Sequence, residues 1–305
     1  MHRSSCCGRG RSRPASLTLA LLASLGLLAG GAGAAEIATD PGDYAALPPG
    51  TDLGILYLQH TERDAYYAGG DKLPGRFRLE TDIGLLRWVH YARLGDYVID
   101  PQLILPFGTV RLKTPFAGLS STSASGVGDP LVGGTLWLVN QAEEKRWLGL
   151  SAFVSIPVGS YDDDKGPVNV GENRWKGIFQ AGYVTALPAN FMLDLIGEYA
   201  VYGENDDFLG MKRKQDPSYG LQAHLRYLFS PSTHAAVSYY RDYGGETKLD
   251  GVRQDDRLRN DRWLLTFATF VAPTVQLQAQ YGQALRVENG ARESSRFNLR
   301  LLKVF

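Results

Sequence analysis

Three observations predict an all-β fold, a transmembrane antiparallel up-and-down β-barrel of about 12 strands. The first residues carry an export signal, the last carry an alternating strand, and the connections between strands alternate long and short. Barrels cross lipid on strands whose side chains alternate lipid-out and lumen-in, with short turns on one side of the membrane and long loops on the other.

The export signal is read first. Arg3, Arg9, Arg11 and Arg13 precede a short apolar run, Leu17 to Ala29, which ends at the small residues Ala32-Gly33-Ala34. This is the pattern of a cleaved secretory signal, too short and wrongly flanked to span a membrane. Residues 1–34 are therefore assigned to a signal peptide cut near Ala34. Cleavage removes Cys6 and Cys7, leaving a mature chain without cysteine. Disulfides, thiol catalysis and zinc–thiolate sites leave with them. The signal also removes four Arg from a balance of 32 basic and 32 acidic residues, leaving 28 against 32 and a mature net charge of −4. Nothing in that balance favours a nucleic-acid partner.

Beyond the signal no stretch approaches the roughly 18 apolar residues of a spanning helix. A membrane chain without such helices must close into a barrel, because lipid offers no partner to an open backbone. Composition would miss this: 44% hydrophobic residues suits a soluble chain equally well. A two-sheet sandwich also alternates, but it explains neither the terminal strand nor the loop asymmetry.

The barrel is assigned to 51–305, with strands near 51–62, 76–93, 96–112, 126–140, 146–160, 173–187, 191–205, 215–230, 233–247, 259–272, 274–288 and 291–305. Tight turns rich in Gly, Pro, Asn and Ser fall at Leu94-Gly95-Asp96, Asn140 to Lys145, Pro188-Ala189-Asn190, Ser230-Pro231-Ser232 and Ala272-Pro273. Longer polar connections, at 63–75, 113–125, 161–172, 204–216 and 244–258, are expected outside the cell. The hairpin at Asn289-Gly290 is a short exception. The stretch from Trp263 to Val271 is apolar on both phases and predicts a packed lumen wall. Arg87 falls on the expected lipid phase, which calls for a bulge or a headgroup-level position. Trp147, Trp175, Tyr227 and Trp263 lie near strand ends and suit interfacial girdles.

In the last strand Phe297, Leu299, Leu301 and Phe305 alternate with Asn298 and Arg300. This looks like the C-terminal assembly signal of Gram-negative outer-membrane barrels, with Lys303 as the one departure. It places the protein in the outer membrane, with the barrel-assembly machinery, outer-membrane lipid and lipopolysaccharide as partners.

The polar phase of the strands supplies candidate lumen-lining residues: Glu80, Asp82, Asp100, Gln102, Lys176, Gln180, Asp194, Glu198, Gln222, His224, Arg226, Gln276, Gln278, Arg296 and Arg300. Two readings of these charges stand. Opposed rows would impose a transverse field and select what passes. Alternatively they pair with one another and pack a lumen too narrow for a wide aqueous pore.

Outside the strands, Asp129 in Gly128-Asp129-Pro130 is expected to cap backbone amides at a strand start, either for structure or to anchor a loop at the pore mouth. Phe116 and Leu119 in the apolar loop Pro115 to Leu119 are candidates for a lid or a lateral exit, or equally for packing on the rim. Asp162-Asp163-Asp164 matches no calcium loop and reads as a solvated turn, so no metal is expected. Lys212-Arg213-Lys214 reads either as a lipopolysaccharide contact or as a plain loop tip. Residues 35–50 form an N-terminal segment that is either a periplasmic tail or a plug folded into the lumen. No cofactor motif is found. No nucleophile elbow, P-loop or H-E-x-x-H is present, and none of His60, His90, His224 and His234 has a catalytic sequence context, so no enzyme is expected.

Six short motifs, in order, carry a family resemblance: Tyr44-Ala45-Ala46-Leu47-Pro48-Pro49-Gly50-Thr51, Leu105-Pro106-Phe107-Gly108, Gly126-Val127-Gly128-Asp129-Pro130, Ile156 to Asp162, Asn173-Arg174-Trp175 and Leu193-Asp194-Leu195. The chain resembles the outer-membrane transporter-like proteins associated with the meta-pathway of phenol degradation, over most of its mature length. The resemblance implies a barrel that admits small hydrophobic or aromatic solutes, and supplies neither a substrate nor a catalytic residue. The expected function is thus passive uptake of such compounds. A structural or adhesive barrel without transport is the alternative, and a barrel lipid hydrolase is the third.

Overall fold

The computed structural model describes residues 36–305, so the signal peptide lies outside the described residues. Twelve antiparallel strands close into a barrel, each paired with its neighbour in sequence. They are β1 (Asp52–Ala68), β2 (Leu79–His90), β3 (Tyr97–Leu112), β4 (Leu131–Gln141), β5 (Arg146–Ser155), β6 (Lys176–Ala186), β7 (Phe191–Tyr202), β8 (Ser218–Ser230), β9 (Thr233–Gly244), β10 (Leu258–Ala272), β11 (Val275–Arg286) and β12 (Gly290–Val304). Closure comes from β1 on β12, in register from Leu53 opposite Val304 to Tyr67 opposite Gly290. A closed ladder leaves no strand edge for lipid to strand unpaired. Every strand expected from the sequence is present.

The outward phase is apolar. Leu58, Leu86, Leu150, Phe179, Leu195, Leu221, Phe267, Leu277 and Leu299 all stand exposed. A belt this large would associate in water and is stable only in lipid. Phe297, Leu299, Leu301 and Phe305 share it, in one row of the closing strand. Lys303 keeps its place at the end of that row: its Nζ donates to Thr274 Oγ1 at 2.6 Å and lies 5.8 Å from the Phe305 ring centroid.

β3 departs from plain pairing. Its first half, Val98 to Ile104, pairs with β4, and its outer half, Phe107 to Leu112, pairs with a short strand, Thr122–Val127. The switch falls at Pro106, which has no amide hydrogen for the ladder, and Gly128 N–H donates to Pro106 O at 2.8 Å. Two expected loops have structure of their own. Asn205–Phe208, Met211–Gln215, Thr247–Leu249 and Val252–Arg253 form a four-stranded sheet above the outer mouth, on a small core of Phe208 and Leu249.

The phase of β2 corrects the sequence reading. Leu79, Thr81 and Val89 are buried and Ile83 and Leu85 face the lumen, so Arg87 points inward with them. Glu80 and Asp82 therefore stand on the outer face, not in the lumen. Asp82 is 47% exposed and meets His60 Nδ1 at 2.6 Å and Arg111; Glu80 meets Arg78 at 2.9 Å and Lys113 at 3.1 Å. Both phases of this strand carry charge and apolar bulk, so alternation leaves its direction open, and pairing across strands decides it. Trp147 is a second correction: it is 8% exposed and packs inside the barrel instead of at an interfacial girdle.

Candidate functional site

The lumen is filled by the segment preceding β1. Residues 36–48 enter the barrel and are held by the inward side chains of most strands around it. On one wall the grip is mostly by neutral and acidic side chains, with Lys176 on Glu36 as the one cation among them. Glu198 accepts from the amides of Glu36 and Ile37 at 2.7 and 3.2 Å, and Gln222 Oε1 accepts from Thr39 N–H at 2.9 Å. Asp194 Oδ2 accepts from Gly42 N–H at 2.7 Å, while Gln180 donates to Ile37 O at 2.8 Å. On the opposite wall the grip is ionic. Arg300 meets Asp40 at 2.8 Å and Asp43 at 3.2 Å, and Arg87 meets Asp43 at 3.0 Å. Buried charges persist in a dry interior only when paired and hydrogen-bonded, and these are.

Tyr44 anchors the middle of the segment. Its hydroxyl lies 2.7 Å from Ser151 Oγ and donates to Gln180 Oε1 at 3.1 Å, and its carbonyl accepts from Trp137 Nε1 at 3.2 Å. The ring rests on two glycines paired across β5 and β6, Gly149 and Gly182. A Cβ at Gly182 would come within 2.3 Å of the ring, so only a bare backbone makes room for it.

Most sequence-assigned lumen residues thus meet at this seat. Gln180, Asp194, Glu198, Gln222 and Arg300 hold the segment directly. Lys176 does so through Glu36 at 2.7 Å. His224 is fully buried between Ser238 Oγ at 2.8 Å and Thr39 Oγ1 at 3.1 Å. Arg226 pairs with Asp194 at 2.8 Å. Asp100, Gln102 and Arg87 form a chain of hydrogen bonds, Gln102 donating to Asp100 at 2.8 Å and accepting from Arg87 at 2.9 Å. Gln276 accepts from Arg300 at 2.6 Å, and Gln278 is buried beside it. Arg296 lies further out, on Glu293 at 2.5 Å. These charges grip the segment and one another. Sequence reasoning missed Arg63, Arg262 and Glu293, inward and buried, and Arg87, inward and half-buried. For Arg63, Arg262 and Glu293 the signal was an unexplained charge on an otherwise buried phase.

Above the segment the loop 156–175 folds over the barrel as a roof. Asp129 fastens it: Oδ1 accepts from Gly159 N–H at 2.8 Å and Oδ2 from Glu172 N–H at 2.7 Å. Gly159 packs so tightly that a Cβ there would lie 2.6 Å from the Gly128 carbonyl carbon. The Glu172 side chain, between Lys176 at 2.7 Å and Arg174 at 2.6 Å, is the second fastening. Burial alone would raise its carboxyl, but the two cations outweigh burial and hold it well below the usual carboxylate range. Phe116 and Leu119 join a rim cluster with Tyr66 and Phe77, the Phe116 ring lying 5.0 and 4.9 Å from theirs. Val168 of the roof packs in the same cluster. Asp162 pairs with Lys165 at 2.8 Å in the roof's exposed turn. Lys212 and Lys214 both pair with Glu204, while Arg213 is buried under the outer sheet.

Two spaces remain. Between segment and roof lies a cavity of about 220 Å³, bounded by Ile83, Leu85, Ile104 and Leu131 on one side and by Arg63, Arg262 and Arg296 on the other. Below the segment, level with the short turns, lies a vestibule of about 950 Å³ whose wall includes Leu53, Ile55, Val89 and Trp147. The arrangement is a barrel with a compartment on either side of a stopper made from its own chain.

The barrel superposes on the COG4313 outer membrane channel from Pseudomonas putida F1 with a TM-score of 0.83 and 40% identity, covering 88% of this chain and 100% of that one. It is similar in fold alone to the β domain of the Bordetella autotransporter BrkA, with a TM-score of 0.52 and 10% identity over 83% of this chain and 99% of that one. No curated protein matches the chain. The family described as "Putative MetA-pathway of phenol degradation" matches residues 62–301, nearly the whole wall of the barrel, and the chain belongs to that family of outer-membrane barrels.

Proposed function

We propose that the protein is a stoppered outer-membrane channel for passive uptake of small hydrophobic or aromatic compounds. The carrying observation is the seat of residues 36–48: a segment held by hydrogen bonds and ion pairs and not by the ladder divides the lumen into two compartments. The solved outer membrane channel from Pseudomonas putida F1, 40% identical to this chain, supports the reading. A solute entering beneath the roof meets the apolar wall of the upper cavity, displaces the segment and leaves through the vestibule. The gradient drives it, since an outer membrane offers no nucleotide hydrolysis. Surrounding lipid and lipopolysaccharide complete the setting, and the outward row ending at Phe305 serves the assembly machinery. Catalysis has little support: the contact of His224 with Ser238 is sealed beneath Thr39, and its other nitrogen meets a hydroxyl instead of an orienting acid.

The test is single-channel conductance of the refolded mature protein, with and without residues 36–48 and with added phenol. Deletion should turn small, infrequent openings into a large steady conductance. An unchanged conductance, from protein whose folding is verified by heat-modifiable gel mobility, would sink the stopper. Vesicles carrying the protein should also take up labelled phenol faster than empty vesicles. Equal rates would sink the channel.

A further inference from the structure

The upper cavity has a charge the stopper does not use. Arg262, on β10, is 4% exposed, and its Nε and Nη2 have no hydrogen-bond partner among the described residues. The guanidinium lies 4.3 Å from the centroid of the Tyr240 ring and borders the cavity. The other cations around the space are committed. Lys176 is held by Glu36 and Glu172, each at 2.7 Å. Arg63 and Arg296 share Glu293, at 3.1 and 2.5 Å. The acids are committed too: Asp129 engages two loop amides, at 2.8 and 2.7 Å. Asp242, two residues beyond Tyr240, is near enough to feel the Arg262 charge, yet among the described residues it makes no ion pair with Arg262 and its own Oδ1 is without a hydrogen-bond partner. A buried guanidinium with unmade hydrogen bonds is costly; the nearby acids Asp242 and Glu293 offset part of its charge from a distance without filling those positions, which are left for an anion in the cavity.

The facing wall is of another kind. Ile83, Leu85, Ile104 and Leu131 make it largely apolar; Thr81 beside them accepts from Arg63, and the Ser155 hydroxyl at its edge is buried and without a partner among the described residues. A pure hydrocarbon would fill such a wall and leave both polar groups unmet. At about 220 Å³ the space is smaller than the sites of roughly 300 Å³ and upward that hold drug-sized ligands, so it takes a small solute. We infer that the cavity between stopper and roof binds a small amphipathic monoanion, an apolar or aromatic body bearing one carboxylate, with the carboxylate on Arg262 and the body against the β2–β4 wall. The inference deepens the channel reading and rests on it for its role: this is the site at which the barrel chooses what it passes.

Equilibrium dialysis of labelled benzoate and of benzyl alcohol, its neutral counterpart, against the folded barrel in detergent tests the site. Wild type should hold one benzoate per barrel and prefer it to benzyl alcohol. Arg262→Gln should weaken benzoate about tenfold or more, the loss of one charge-assisted contact, and leave benzyl alcohol unchanged. Arg262→Lys should retain part of the preference. Equal benzoate binding by wild type and Arg262→Gln overturns the proposal. So does a wild type that prefers the alcohol, a result that needs no variant to fold. Vesicle uptake separates the two readings: benzoate bound but neither solute transported defeats the channel and keeps the site, whereas both transported without a benzoate preference defeats the site and keeps the channel.

Discussion

Below Glu36 the lumen is occupied by the chain's own N-terminal segment, and above it the lumen is a cavity under a loop roof. The lower half is closed by complementarity: Glu198, Gln222, Asp194, Arg300 and Arg87 each find a partner on residues 36–43. The upper half leaves more unmet: among the described residues Arg262 lacks hydrogen-bond partners at Nε and Nη2 and forms no ion pair, and the Ser155 hydroxyl is unpartnered, whereas Arg300 below lacks a partner at Nε alone and is paired with two acids. Both halves come from the same inward phase of the same strands. The difference lies in what faces that phase, and it separates two tasks. A network whose charges are paired holds one state firmly, whereas a buried cation without an ion pair leaves room for a ligand.

The sharpest way to break the contrast is to unseat the stopper. Gly182→Leu puts a side chain where the Tyr44 ring lies and should raise single-channel conductance toward that of the 36–48 deletion; wild-type openings in that variant would mean Tyr44 does not position the segment. Arg300→Gln should come next. It removes the cation shared by Asp40 and Asp43, and breaking a buried pair costs on the order of 3–5 kcal/mol, so open probability should rise steeply. Asp129→Ala acts on the roof only. It orphans the Gly159 and Glu172 amides at about 1–3 kcal/mol each, and trypsin should then cut faster after Lys165 with little change in conductance. A cut rate equal to wild type would mean the roof is held elsewhere. The smallest effect is expected from acid. The Glu172 carboxyl is held below its ordinary value, so its fastening is fully present above the ordinary carboxylate range and is lost only as pH falls through the depressed value. Tryptic cutting of the folded barrel preincubated at pH 5 should match that at pH 7, and marked loosening at pH 5 would contradict the Lys176 and Arg174 clasp.

Legibility in the sequence followed the range of the interaction. Strands such as β8, β11 and β12 were readable because alternation and turn residues are local. The inward charges were readable where one phase is plainly apolar, as with Gln222, His224 and Arg226 on β8. On β2 both phases mix charge with apolar bulk, so Glu80 and Asp82 were placed inside and Arg87 outside. Trp147 lies at a strand end, where sequence suggests a girdle, yet it faces the core. The outer four-stranded sheet escaped notice because it joins two loops distant along the chain, each too short to show strand character alone.

The sequence by itself determined the closed barrel, its twelve strands and its lipid-facing belt, because lipid permits few backbone solutions and side-chain alternation records which face meets it. Only the tertiary structure decided that residues 36–48 fill the lumen. Their partners, on β2, β7, β8 and β12, come together only once the barrel closes. It also decided that Arg262 is unmet among the described residues, since a charge counts as unpaired only after its neighbours have been placed.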